Sequence, residues 1–212
     1  MIERQNKTVR VIKVGGSLLT WPKLRDQLPA WLETLPPGMN LLIFGGGECV
    51  EAMRELDALW SLDPTAMHWR CVRLLNSTFE IAQELWPAWS AFPFVEDSVA
   101  TLREQIANDR NMSHPIIVQP SAIYTRSVDT LPHNWATTTD SIAAYLANVL
   151  PASELYLLKS TSPQPGLTLS DAAALGFVDA AFPSVASSHY RIRSIDLTDP
   201  AWPTTEFQAI SQ

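Results

Sequence analysis

Short apolar runs alternate along this chain with longer stretches of helical periodicity, and that alternation limits the possible folds more than any other feature. The apolar runs are rich in β-branched and aliphatic residues, and we predict strands at 9–14, 41–44, 116–118, 155–158 and 191–195. Apolar spacing and capping residues predict helices at 48–60, 65–85, 99–107, 141–150 and 170–176. Strands that alternate with helices are typical of the α/β class. No repeat or linker divides the sequence, so we expect a single domain over residues 1–212.

Composition and charge exclude several classes of protein. Hydrophobic residues make up 46% of the 212 residues, which is too many for a disordered chain. The formal net charge of −7 disfavours nucleic-acid binding, which depends on Lys and Arg. No apolar stretch reaches the roughly 18 residues of a membrane span, and no apolar signal core follows residues 1–7. Cys49 and Cys71 lack metal-ligand spacing, so we expect a cytoplasmic protein with reduced thiols.

Five of the eight glycines fall in two clusters, 15–16 and 45–47, and each cluster directly follows a predicted strand. Glycine lets backbone N–H groups converge on an anion such as phosphate, and parallel sheets bind ligands at the carboxyl ends of their strands. The clusters therefore predict a phosphate site, although two tight turns would also explain them. The chain has no Walker loop, and Val50 stands where a dinucleotide fingerprint has its third glycine. A nicotinamide-dependent oxidoreductase is thus a weak alternative.

Lys13 lies on the first predicted strand, two positions before the first glycine cluster. An ammonium group at this position would stand beside the anion that the glycine amides bind. This pairing suits phosphoryl transfer, because the transition state spreads negative charge over the phosphoryl oxygens.

Three runs of sequence resemble the motifs of the amino acid kinase family, and they occur in the family's order. They lie at 11–18, 42–47 and 139–144. The resemblance implies a three-layer αβα sandwich around a mainly parallel central sheet. It also implies a kinase that uses ATP with Mg²⁺ to phosphorylate a small acidic acceptor, and commonly a homodimer or larger homo-oligomer.

The resemblance implies a role for each matching position. Lys13 would steady the phosphoryl group, and Asp140 would orient the lysines and glycines unless it is an ordinary helix N-cap. Lys159 would be a second lysine at the transferring phosphate, or else a strand-end lysine that reaches solvent. The nucleotide phosphates would be held by Gly15, Gly16 and Ser17, and the anionic group of the acceptor by Gly45, Gly46 and Gly47.

The residues after Lys159 depart from the family pattern. Family members usually continue into an acidic loop of the type T-D-V-D-G, whereas residues 160–166 of this chain contain no acidic residue. The departure leaves the nucleotide preference open. It also sustains a rival hypothesis, a nucleotide-binding storage or regulatory protein without kinase turnover.

Fewer residues indicate where the acceptor would bind. His68 either contacts the acceptor or is a hydrogen-bonded core histidine. Arg70 and Arg73 lie three apart on one helical face, and they either grip the acceptor phosphate together or are solvated surface arginines. His133 is a further candidate for lining the same pocket.

A weaker resemblance concerns the subfamily. The runs 66–69 and 176–183, together with Trp135, resemble the kinases of methanofuran biosynthesis that phosphorylate an aminomethyl-furan-methyl phosphate. We expect a small-molecule partner of this kind, and neither nucleic acid nor membrane. We expect no dedicated metal ligands, because Mg²⁺ would arrive on the nucleotide.

Overall fold

The computed structural model describes residues 8–108 and 114–207, so residues 1–7, on which the expectation about a signal segment rests, lie outside it. Within the described ranges seven strands form one sheet. They are β1 (Val9–Val14), β2 (Met39–Phe44), β3 (Ser90–Phe92), β4 (Ile116–Val118), β5 (Glu154–Lys159), β6 (Arg191–Asp196) and β7 (Thr204–Phe207). Their order is β3-β4-β2-β1-β5-β6-β7, and only the β6–β7 pair is antiparallel.

Eight α-helices and one 3₁₀ helix, Gly16–Thr20, connect the strands in the same described ranges. The α-helices are α1 (Leu24–Glu33), α2 (Glu48–Trp60), α3 (Pro64–Leu85), α4 (Ser98–Asn108), α5 (Pro120–Ile123), α6 (Thr139–Val149), α7 (Leu169–Ala174) and α8 (Phe182–Val185). None of these helices is both long and apolar enough to cross a membrane.

All five predicted strands and all five predicted helices are present, with ends that differ by at most two residues. The sequence analysis missed β3 and β7, which have three and four residues and lie at the two edges of the sheet. It also missed α1, which contains Pro29 and begins without a side-chain cap, so the usual start signal is lacking. The predicted α/β class with a mainly parallel sheet is confirmed.

Helices cover both faces of the sheet, as in a three-layer sandwich. One apolar cluster joins Val9 and Val11 of β1 to residues of α4, α6, α7 and α8. The other joins Ile12 and Val14 of β1 to α1 and to the C-terminal half of α3. Alternate residues of β1 therefore enter different layers, as the period of two along a strand requires.

The same alternation brings two lysines to one place. Lys13 shares the face of Val11, and Lys159 at the end of β5 shares the face of Leu157. β1 and β5 are adjacent parallel strands with Lys13 opposite Leu157 in the register. Both lysines therefore lie on the sheet face that α6 covers.

A buried ionic network holds the other end of these strands. Arg10 of β1 is 2% exposed, and its Nε donates to Oε2 of Glu154 at 2.7 Å. The second oxygen of Glu154 accepts from Arg191 at 3.0 Å and from Arg193 at 2.8 Å. One buried carboxylate therefore balances a buried guanidinium and ties β1, β5 and β6 together at their amino ends.

Removing the charge of Glu154 should destabilise the fold. We expect Glu154→Gln to lower the free energy of unfolding by about 3–5 kcal/mol, because Arg10 would remain buried without a counter-charge. The matched control is Glu206→Gln, which removes an exposed partner of Arg193 and should cost less than about 1 kcal/mol. Urea denaturation of both variants measures the difference, and equal losses would contradict this account.

Candidate active site

A cavity of about 600 Å³ opens at the carboxyl ends of β1, β2 and β5. The start of α6, the segment 176–180, Trp135 and residues of α2 and α3 form its other walls. Most of the side chains and glycines predicted from the sequence line this cavity. They are Lys13, Gly15, Gly16, Ser17, Gly45, Gly46, Gly47, His68, Asp140 and Lys159.

The two glycine loops pack directly against each other. A Cβ atom on Gly16 would lie 2.0 Å from the backbone nitrogen of Gly47, which leaves no room for a side chain. Gly47 has a φ of +53°, a conformation that favours glycine, and a Cβ there would lie 2.4 Å from the carbonyl oxygen of Gly16. Close contact between the loops is therefore a structural reason for these two glycines, and it brings the ends of β1 and β2 together at the cavity.

Asp140 is the centre of the cavity floor, and it pairs with both lysines. Its Oδ1 lies 2.9 Å from Nζ of Lys13, an ion pair whose angles fall outside those of a hydrogen bond. Its Oδ2 accepts a hydrogen bond from Nζ of Lys159 at 2.7 Å. The N-cap residue of α6 is Thr138, so Asp140 is not the N-cap of this helix.

Lys159 turns inward rather than toward solvent. Its ammonium group also donates to the carbonyl oxygen of Phe177 at 2.8 Å, and its side chain is only 14% exposed. The alternative of a strand-end lysine that reaches solvent is therefore wrong.

Burial and charge set the protonation of this cluster. Burial would raise the pKa of Asp140, but Lys13 and Lys159 outweigh it and hold the pKa at about 2. Burial lowers the pKa of Lys159 to about 8, against the opposing effect of Asp140. At neutral pH the carboxylate of Asp140 is therefore ionised and Lys159 is mostly protonated.

Asp179 fixes the start of α6, and the sequence analysis did not identify it. Its carboxylate accepts from the backbone N–H groups of Thr138 and Ser141 at 2.9 and 3.0 Å, and from both of their hydroxyl groups. Burial, and then the neighbouring charge of Asp140, raise the pKa of Asp179. A carboxylate from the segment before α8 thus performs the capping role and leaves Asp140 free to bind the lysines.

His68 and Arg73 have different positions. His68 lines the cavity but is 5% exposed, and both ring nitrogens lie within hydrogen-bond distance of a partner, the carbonyl of Asn134 and the hydroxyl of Tyr124. Arg73 and Arg70 are exposed and lie outside the cavity lining, so the prediction of a paired arginine grip is wrong. His133 also lies outside the lining, where its Nε2 lies 2.8 Å from the carbonyl oxygen of Val128.

A different arginine reaches the cavity. Arg54 of α2 lies in its wall, with the guanidinium carbon 4.2 Å from the ring centroid of Trp135. The indole N–H of Trp135 donates to Oδ2 of Asp57, also on α2, at 2.6 Å. Only the spacing of three between Arg54 and Asp57 on one helix pointed to this pair, and nothing in the sequence connected them to Trp135.

Comparisons with known proteins bear on the fold. No protein-family model matches the chain. The [5-(aminomethyl)furan-3-yl]methyl phosphate kinase of Methanocaldococcus jannaschii is 24% identical over 152 residues, which cover 70% of this chain and 64% of that protein. The matched region is therefore less than two thirds of the relative's length.

Solved structures resemble this chain over nearly its whole length. UMP kinase from Ureaplasma parvum has a TM-score of 0.63 at 14% identity and covers 92% of both chains. UMP kinase from Bacillus anthracis has the same TM-score at 10% identity, over 91% of this chain and 88% of the other. Aspartate kinase from Synechocystis has a TM-score of 0.56 at 11% identity, over 95% of this chain and 40% of the other.

This chain has the amino acid kinase fold. The family resemblance of the three sequence motifs is confirmed. In this amino acid kinase fold, the first and second motifs supply the two glycine loops in contact, and the third supplies the carboxylate between the lysines.

Two lysines, the glycine loops and several residues with hydroxyl groups line the cavity, and groups of this kind fit a polyphosphate ligand. Thr137 also lines the cavity, and its hydroxyl oxygen is buried without a hydrogen-bond partner among the described residues. Ser17 and Ser160 connect the loops after β1 and β5 through a contact of 3.1 Å between their hydroxyl oxygens. Within the described ranges no group of three or more His, Cys, Asp or Glu side chains could hold a metal ion.

Neutralising Asp140 should destabilise the amino acid kinase fold in a pH-dependent way. At pH 7 we expect Asp140→Asn to lower the free energy of unfolding by about 3–5 kcal/mol, because two buried ammonium groups lose their shared counter-charge. At pH 9.5 the loss should be smaller, because Lys159, with its pKa of about 8, is then largely neutral and only the Lys13 pair is lost. Urea denaturation at both pH values measures this difference.

Asp171→Asn is the control, because Asp171 is an exposed capping carboxylate of α7. The loss in the free energy of unfolding of Asp171→Asn should be small and the same at pH 7 and 9.5. An equal loss at pH 7 and 9.5 for Asp140→Asn would show that the lysine cluster is not what the carboxylate stabilises.

Proposed function

We propose that this protein is a small-molecule kinase that transfers the γ-phosphoryl group of ATP to a phosphate or carboxylate group of a small acceptor. The observation that carries the proposal is the position of Lys13 and Lys159. Both ammonium groups lie at the floor of one cavity, on either side of a single carboxylate and next to two glycine loops. Ammonium groups held in fixed positions in a buried site can stabilise the negative charge of a transferring phosphoryl group.

The cavity divides into two ends in this proposal. Gly15, Gly16 and Ser17 would bind the nucleotide phosphates through backbone N–H groups and a hydroxyl. Gly45 to Gly47 and Arg54 would bind the anionic group of the acceptor, with His68 in the wall behind them. Lys13 and Lys159 would lie between the two ends, where charge develops during transfer.

The reaction needs no general base. A phosphate or carboxylate acceptor is already ionised near neutral pH, so its oxygen can attack directly. That oxygen forms a bond to the γ-phosphorus as the bond from this phosphorus to the bridging oxygen of ADP breaks, and ADP leaves with the electron pair. Asp140 holds the two ammonium groups in place and stays ionised, consistent with its pKa of about 2. Mg²⁺, when bound, neutralises charge on the nucleotide phosphates.

The acceptor we propose to test first is an (aminomethyl)furanylmethyl phosphate. The name of the M. jannaschii relative contains this compound. The aromatic side chain of Phe177 lines the cavity of this chain, and a small flat ring would pack against such a surface. A UMP acceptor is the comparison compound, because two of the similar structures are UMP kinases.

A nucleotide-binding protein without turnover is the second candidate. The observation in its favour is the loop after β5, where residues 160–166 contain no acidic residue. Two assays distinguish the two candidate functions. A thermal-shift series with Mg²⁺ and ATP, ADP, GTP, UTP or NAD tests binding, where a ligand at 100 times its Kd adds about 2.7 kcal/mol. Product formation with the two acceptors then tests turnover.

The quaternary structure and the localisation stay predictions. Leu59 and Trp60 at the end of α2 are 70% and 66% exposed, and such apolar surface agrees with the expected homo-oligomer. Size-exclusion chromatography with light scattering measures the mass of the assembly directly.

Removing the ammonium group of Lys13 should reduce turnover without unfolding the protein. We expect Lys13→Met to lower kcat about 100- to 1,000-fold, the usual effect of losing one group that stabilises transition-state charge. Lys23→Met, which changes an exposed lysine before α1, should leave kcat unchanged. Wild-type kcat in Lys13→Met, with both variants folded by circular dichroism, would overturn the assignment of Lys13.

A further inference from the structure

We propose that Trp135 is a positioning residue that sets the affinity for the acceptor by holding the Arg54 guanidinium at the cavity wall. The inference rests on the proposed function, in which Arg54 binds the anionic group of the acceptor. It adds a residue that acts through Arg54 and predicts a change in acceptor affinity rather than in the rate of phosphoryl transfer.

Asp57 anchors the indole of Trp135 to α2. The indole N–H donates to Oδ2 of Asp57 at 2.6 Å, a short distance for a bond of this type. The other oxygen, Oδ1, accepts from the backbone N–H of Leu62 at 3.0 Å. Because both carboxylate oxygens are engaged, Asp57 has one orientation, and the ring plane of Trp135 follows from it.

His68 anchors the backbone next to Trp135. A carbonyl oxygen can only accept, so Nδ1 of His68 carries the hydrogen and donates to Asn134 at 3.1 Å. Nε2 then accepts from the hydroxyl of Tyr124 at 3.0 Å. Burial lowers the pKa of His68 to about 4, so the ring is neutral at physiological pH and keeps this arrangement. The side chain and the backbone of the Trp135 segment are thus held from α2 and α3 respectively.

The anchored indole of Trp135 determines the position of the Arg54 side chain. This side chain is 44% exposed, and its Nε lies 3.3 Å from a Glu51 oxygen that is itself on an exposed side chain. A surface ion pair of this kind fixes a long side chain poorly. The indole of Trp135, 4.2 Å from the guanidinium carbon, supplies a rigid flat surface on which the guanidinium rests. Without the indole, Arg54 would leave the cavity wall for solvent during much of the time.

This arrangement favours acceptors with a compact anionic group, such as a phosphate monoester. A guanidinium whose carbon lies over a ring can offer its N–H groups in a bidentate contact with phosphate or carboxylate oxygens. A neutral acceptor of the same size would gain nothing from it. The indole therefore contributes to acceptor selection without needing to touch the acceptor.

The experiment compares Trp135→Leu and Trp135→Phe with the control Phe94→Leu, which changes an exposed aromatic residue outside the cavity lining. With (aminomethyl)furanylmethyl phosphate as acceptor, we expect Trp135→Leu to raise the acceptor KM about tenfold, the effect of one cation–π contact of roughly 1.4 kcal/mol. The kcat and the KM for ATP should stay within about twofold of wild type. Trp135→Phe keeps an aromatic ring but loses the hydrogen bond to Asp57, so its acceptor KM should lie between those of the wild type and Trp135→Leu. The acceptor KM of the double variant Arg54→Met/Trp135→Leu should be no higher than that of Arg54→Met alone.

A second readout does not depend on turnover. The indole N–H signal of Trp135 in ¹H–¹⁵N spectra, identified by its loss in Trp135→Phe, should shift when inorganic phosphate is titrated in, and Arg54→Met should abolish the shift. An unchanged acceptor KM in both Trp135 variants, or a loss confined to kcat, would overturn the proposal while the kinase function stands. If the wild type shows no turnover with any acceptor, the proposed function fails, and the phosphate titration alone decides whether Trp135 and Arg54 form an anion site.

Discussion

A single carboxylate between two ammonium groups is the interaction on which the site depends. Asp140 is buried, and alone its burial would favour the neutral acid, but Lys13 and Lys159 reverse that preference. The carboxylate makes the burial of each ammonium group tolerable, and the two ammonium groups together keep the carboxylate ionised. The consequence is a buried floor that presents two ammonium groups, without a metal ligand set among the described residues.

Much of this arrangement was predictable from the sequence because it follows from local periodicity. Strand-like runs that end in glycine fixed the carboxyl edge of the sheet as the place for a site, and the motif at 139–144 indicated where a third group would come from. The convergence of Lys13 and Lys159 could be inferred once β1 and β5 were adjacent, because both lie at odd positions with Val11 and Leu157. The strand order itself could not be predicted from the sequence, because it depends on packing between distant segments.

The end of the cavity that we propose for the acceptor shows why the rest could not be predicted. Arg70 and Arg73 share one side of α3, but the apolar residues Trp69, Val72 and Leu75 take the side that faces the core and cavity, so the arginines face solvent. Arg54 reaches the cavity from α2, a helix with no buried residue, whose position depends on contacts with α3 and Trp135. Asp179 was missed for a similar reason, because its role as the cap of α6 joins residues 38 or more positions apart.

The contact between Gly16 and Gly47 has a consequence for how such a site can diverge. Because main chain touches main chain there, no side chain sets the separation between the two loops, and a side chain added at either glycine would force them apart. The distance between the two halves of the cavity is therefore built into the backbone. The specificity of the cavity could change through substitutions in α2 or at Trp135, while the distance between the two glycine loops stays the same.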